Sequence, residues 1–262
     1  MKNNIITLTA LVAISALSNQ VAAAPLASGW TSSGNAGTTI GTDGVVITTA
    51  GFTGYHWVST DGGVSGNTLG YTGSTNGSTA LSPLFSAAAG EQLAFKFNYI
   101  TSDGAGYSDY GWAKLFDSSM NEVALLFTAR TTPTGNTVPG FGMSPINAAI
   151  NPAVVTITAG APDWSSLGSS SGTCFSTGCG YTGWVDASYL IASAGTFHLQ
   201  LGVANFTDTA WDSGLAFAGA TIAGKSIDDV SQVPLPPALV LFASGLLGLG
   251  VSSRKKLSLI HI

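Results

Sequence analysis

Charge is scarce in this sequence. Asp, Glu, Lys and Arg together make up 8% of its 262 residues, against about a quarter in ordinary soluble domains. Glutamate occurs only as Glu91 and Glu122. Solvent-facing helices depend on long charged formers, so this shortage argues against a helical bundle or a coiled coil. Bases are scarcer than acids. Only Lys96, Lys114, Arg130 and Lys225 fall within the span that holds all thirteen acids, which leaves that span at −9. An acidic surface repels phosphate backbones, and nucleic acid is excluded as a partner. Histidine is almost missing, with His56 and His198 the two in the body of the chain. There is no zinc-binding His pair, no Gly-x-Ser-x-Gly elbow and no phosphate-cradling glycine loop. Two cysteines are too few for a disulfide-dense scaffold.

Glycine is abundant instead, at 34 residues, among many Ser and Thr. Turn formers and β-branched residues predict short strands joined by polar loops. Leu93, Phe95, Phe97 and Tyr99 alternate with polar Lys96 and Asn98, a period-two pattern. Phe197, Leu199, Leu201 and Val203 do the same against Thr196, His198 and Gln200. Residues 112–116 and 123–129 flank a polar loop and predict a β-hairpin. Further strands are expected at 44–48, 154–158 and 215–222, with 131–152 irregular. No amphipathic helix and no fixed-period repeat emerges. The expectation is an all-β fold, an antiparallel β-sandwich of jelly-roll type, with a β-helix as the alternative.

The two ends read as addresses. Lys2 precedes an apolar stretch from 5 to 17, and Val21-Ala22-Ala23-Ala24 supplies small residues for cleavage after Ala23. Residues 1–23 are therefore expected to be a signal peptide removed by signal peptidase. The β-sandwich ectodomain is expected over 24–226, followed by a linker and Pro-containing motif at 227–237. That motif is Val233-Pro234-Leu235-Pro236-Pro237. An uncharged hydrophobic span at 238–253 follows, then a basic stop of Arg254, Lys255 and Lys256. The apolar run and its positive cluster predict a single membrane-spanning helix with its basic end cytoplasmic and the ectodomain outside. Residues 257–262, LSLIHI, are read as a non-native extension.

The order of Pro motif, hydrophobic span and basic cluster resembles the PEP-CTERM sorting signal. Leu235 stands where the commonest form of that motif carries Glu; Val-Pro-Leu-Pro is a variant form. The strings SGWTSSGNA, TSDGAGYSDYGWAKLFD, GCGYTGWV and AWDSGLAFAGATI resemble a family of PEP-CTERM surface proteins. The resemblance implies handling by an exosortase-like membrane transpeptidase and a place in an exopolysaccharide or biofilm layer. It implies no reaction.

In an exported chain Cys174 and Cys179 are expected to pair as a structural disulfide. Asp103 and Asp109 lie in a Gly-rich loop, and Asp208 and Asp212 precede the last expected strand. Together they form a candidate Ca2+ site, with turn-forming Asp as the other reading. Trp57, Tyr110, Trp184 and Trp211 are candidate sugar-stacking surfaces, with core capping as the other reading. Two functions stand at this point. One is a non-enzymatic surface or matrix component that contacts extracellular polysaccharide. The other is a secreted glycan-active hydrolase using paired Asp residues.

Overall fold

The computed structural model describes residues 24–227. The expected signal peptide, sorting motif, hydrophobic span, basic stop and final extension lie outside the described residues. No helix among the described residues is long and apolar enough to cross a membrane.

In chain order the strands are β1 (Thr31–Ser33), β2 (Asn35–Ile40), β3 (Gly54–Ser59), β4 (Val64–Ser65), β5 (Ser74–Leu81), β6 (Phe85–Ala87), β7 (Gln92–Thr101) and β8 (Tyr110–Asp117). They continue as β9 (Glu122–Arg130), β10 (Ala149–Asn151), β11 (Thr158–Ala159), β12 (Gly180–Tyr181), β13 (Val185–Leu190), β14 (Gly195–Phe206), β15 (Ser213–Ile222) and β16 (Lys225–Ser226). A short 3-10 segment covers Ser165–Ser170. The chain is thus an all-β, antiparallel β-sandwich.

One sheet runs β10-β13-β7-β15-β3-β2 and the other β1-β5-β14-β8-β9. Eight strands make the frame. Counted along the chain among themselves, β3, β5, β7, β8, β9, β13, β14 and β15 lie in the orders 1-8-3-6 and 2-7-4-5. Successive strands therefore cross between sheets, apart from the β8–β9 hairpin, and the last strand sits between the first and third.

The expected alternations build the core. Leu93, Phe95, Phe97 and Tyr99 on β7 are buried, as are Phe197, Leu199, Leu201 and Val203 on β14. Phe97 stacks on Phe127 of β9 across the sandwich, with ring centroids 3.8 Å apart and planes 7° from parallel. Full burial of a side chain of this size stabilises by about 1.5–3 kcal/mol. Gly202 has a specific reason to be glycine: a Cβ there would stand 2.3 Å from the Trp112 ring on neighbouring β8.

Two expected strands are not formed. Within 44–48, Val46 bridges back to Asp43 and the Val45 N–H donates to the Asp163 carbonyl, so this run anchors a covering loop. Within 154–158, the Val155 N–H donates to Asn136 Oδ1 at 2.7 Å and its carbonyl accepts from Thr137, which leaves only Thr158–Ala159 as strand. The sandwich also extends one residue past the expected boundary, because Ile227 is fully buried in the core.

Part of each sheet's outer face is covered. Tyr55, Trp57, Ile100, Ala216 and Ala218 point outward from one sheet and are covered by Val46, Trp164 and Leu167. On the other sheet Tyr110, Trp112 and Ala204 are covered by Leu69, Tyr71, Met143 and Phe206.

Candidate functional site

Three loops meet at one end of the sandwich. The first, 102–109, joins β7 to β8. The second holds Cys174 and Cys179, which form the expected disulfide. The third, 207–212, joins β14 to β15. Backbone bonds lock them together. Ser102 O accepts from the Phe175 N–H at 2.9 Å, and the Ala105 N–H donates to Thr177 O at 2.9 Å. The Ser102 N–H donates to Asp212 O at 3.1 Å. Gly104 permits the first contact, since a Cβ there would fall 1.8 Å from Ser176 Oγ.

These loops carry an exposed aromatic row. Tyr107 packs edge-on against Phe175 with centroids 5.7 Å apart, and Phe175 lies 5.6 Å from Trp211. Tyr107 is 47% and Phe175 45% exposed, and Trp211 is half-buried. Phe175 cannot reach the core from inside a six-residue cross-linked loop, so the disulfide holds an apolar ring in solvent. Thr207 and Trp211 both adopt the left-handed backbone region, at φ 71° and 62°. For a β-branched and a bulky residue this conformation costs about 1–3 kcal/mol each. The fold enforces it by clamping the loop. The Thr207 N–H donates to Gly73 O, Asp208 O accepts from Thr75 Oγ1, and Asp208 Oδ1 caps the Ala210 N–H.

The four Asp residues singled out from the sequence gather around these loops in different states. Asp103 Oδ1 accepts from the Gly104 N–H at 2.7 Å, while its Oδ2 is buried with no hydrogen-bond partner. Burial pushes its carboxyl up to about 6, assisted by the Asp208 charge and opposed by the Gly104 hydrogen bond and by Arg130. Asp109 is fully enclosed. Its oxygens accept from the Phe206 N–H at 2.9 Å and the Ser213 hydroxyl at 2.7 Å. Burial drives it well above the ordinary carboxylate range, with the Asp103 and Asp212 charges adding to the rise. Asp212 accepts from Thr60 Oγ1 at 3.0 Å and Ser170 Oγ at 2.9 Å, and burial raises it as well. Asp208 is exposed. Both oxygens of Asp109 and of Asp212 thus accept interior hydrogen bonds. Among the described residues no group of three or more His, Cys, Asp or Glu side chains is placed to hold one metal ion.

Two of the four expected stacking aromatics are core residues. Trp57 is 4% exposed and lies edge-on to Trp164 with centroids 6.4 Å apart. Tyr110 is 1% exposed, with its hydroxyl paired to Ser74 Oγ at 2.6 Å and accepting the Leu69 N–H. Both occupy outward-facing strand positions that a covering loop closes over. Trp184 is half-buried against Tyr55 and donates Nε1–H to Ile47 O, away from the aromatic row. Trp211 alone of the four joins the row. Sequence reasoning passed over Phe175, although a large apolar residue between two nearby cysteines was the available signal.

No family model matches the chain, and no curated protein matches it. Among solved structures, it is similar to the enzymatically active domain of tailspike protein 4 from bacteriophage CBA120, at 11% identity and a TM-score of 0.34. That match covers 74% of this chain and spans 19% of the tailspike chain. The K1 cleaved adhesin domain of Lys-gingipain from Porphyromonas gingivalis W83 is similar at 11% identity and a TM-score of 0.34, over 75% of this chain and 91% of that one. The K3 cleaved adhesin domain of the same protein matches at 11% identity and a TM-score of 0.27, over 66% and 79%.

Proposed function

We propose that this chain is an exported surface or extracellular-matrix protein, built on a jelly roll, whose three-loop end binds polysaccharide without cleaving it. The observation that carries the reading is the exposed row of Tyr107, Phe175 and Trp211, held by a disulfide and a strained loop. Flat apolar rings fixed on a rigid frame stack on the C–H faces of sugar rings, and nearby carboxylates accept from sugar hydroxyls. The frame supports the jelly-roll assignment, since its strands interleave as 1-8-3-6 and 2-7-4-5. The disulfide, the secretory pattern of residues 1–23 and the PEP-CTERM-like tail support export and a cell-surface destination. On this reading signal peptidase and an exosortase-like transpeptidase act on the two ends, and the C-terminal span holds the chain to the membrane before processing.

The test is a glycan-binding panel run on the mature protein beside a hydrolysis assay on the same glycans. Binding without turnover is expected. Trp211→Ala should weaken it about three- to tenfold, the worth of one stacked ring. Turnover of any bound glycan, or binding untouched by Trp211→Ala and Phe175→Ala in folded protein, would overturn this reading.

A further inference from the structure

The aromatic row stands in an acidic setting. Asp208 is exposed on the same loop as Trp211. Asp103 immediately precedes the Gly104 that packs on the disulfide loop; its Oδ1 accepts the Gly104 N–H, and its Oδ2 is buried without a hydrogen-bond partner. The adjoining covering loop adds more acid. Asp43 accepts from Ser165, Asp163 accepts from Ser171, and Asp61 lies against Gly168.

Positive charge is nearly absent there. Arg130 is the one base of the described residues that reaches these loops, and it is already engaged. Its guanidinium sits 4.1 Å above the Phe206 ring, and Nε donates to Ser108 O at 2.8 Å. Lys96 pairs with Asp186 and Lys114 with Glu122 along the sheets. Lys225 lies on β16, which pairs with the opposite end of β15.

This charge pattern discriminates among polysaccharides. A polyuronate would bring like charge to Asp208 and Asp103. A neutral glycan would offer them hydroxyl donors but no counter-charge. A glycan carrying protonated amines would meet opposite charge, and its cations would also be drawn to the negative faces of the rings. Resting on the glycan-binding reading above, we propose that the ligand class is a cationic amino-sugar polymer, a partly N-deacetylated hexosamine chain. Tyr107, Phe175 and Trp211 stack on its rings, and Asp208 pairs with an ammonium group.

Calorimetric titration of the mature protein at about pH 6 tests this with three probes: a glucosamine oligosaccharide, the same oligosaccharide fully N-acetylated, and an oligo-uronate. The glucosamine probe is expected to bind about tenfold more tightly than its acetylated form, and the preference should shrink as salt is raised. Asp208→Asn should reduce the preference about threefold, with the larger loss on the free-amine probe. Trp211→Ala should weaken both. Equal binding of the acetylated and free amine probes, or tighter uronate binding, overturns the ligand class and leaves polysaccharide binding standing. Glucosamine binding that ignores both Trp211→Ala and Phe175→Ala, in variants with unchanged melting temperatures, is charge adsorption elsewhere on the protein and overturns the site itself.

Discussion

A carboxyl group whose oxygens are answered by one hydroxyl and one backbone N–H, inside a dry core, is held toward its acid form. Asp109 is such a group, and Asp103 and Asp212 are raised for the same primary reason. The consequence for stability has a definite sign. Each folded-state value lies above the ordinary 3.8, so between the two values the folded chain binds more protons than the unfolded chain. Stability therefore falls as pH rises through that window, which for Asp103 runs from 3.8 to about 6. Asp117 is shifted the other way by its bonds to Asn121. Its window lies below 3.8 and does not interfere. Urea unfolding is expected to show greater stability near pH 4.5 than near pH 7.5. Asp109→Asn keeps an acceptor for Phe206 and offers a donor toward Ser213, so it should flatten much of this slope without loss at neutral pH. A wild-type protein more stable at pH 7.5 would show that these carboxyls ionise without cost.

The elements that could be read from sequence were those with a simple period. β7 and β14 alternate because each has one face on the core, and the β8–β9 hairpin is local. β5 gave no such signal. Its sequence, STNGSTAL, is polar, yet it lies inside a sheet between β1 and β14, where Gly77 is buried because neighbouring backbone approaches too closely for a larger residue. Trp57 and Tyr110 were misleading for a related reason. Their strand positions face outward, but a second apolar layer covers them, and no local pattern reports a cover supplied by residues far along the chain. The site shares that difficulty, since its rings come from positions 107, 175 and 211 and meet only after both sheets have closed. Close fit within an element is also testable. Gly202→Ala would drive a Cβ into the Trp112 ring and should destabilise by about 1–3 kcal/mol, read as a lower melting temperature. An unchanged midpoint would mean that Trp112 has room to move.

At the scale of the whole molecule, the ends and the body have separate physical roles. The body buries most of its apolar side chains between and over two sheets and exposes Tyr107 and Phe175 at one end, beside a half-buried Trp211. The terminal segments carry apolar runs with positive flanks and are expected to act through the membrane. Mass spectrometry of the native surface protein should find a mature N-terminus at or near Ala24, where Ala24 already pairs with Thr38 of β2. Deleting 233–256 should release the protein from the cell surface. An intact Met1 in exported protein, or unchanged surface retention of the deletion, would refute the respective half.

The position of β15 has a consequence for how such a chain is handled during synthesis. It occupies the slot between β7 and β3, so neither neighbour has its edge filled until residues 213–222 exist. A nascent chain lacking them has one sheet split in two and cannot complete its core. The pairings of β15 with β3 and β7 also join positions more than a hundred residues apart, which makes closure slow. The polypeptide thus stays threadable until almost its whole length has been made. On the proposed export route, late closure would leave the chain unfolded while it is threaded through a translocation channel.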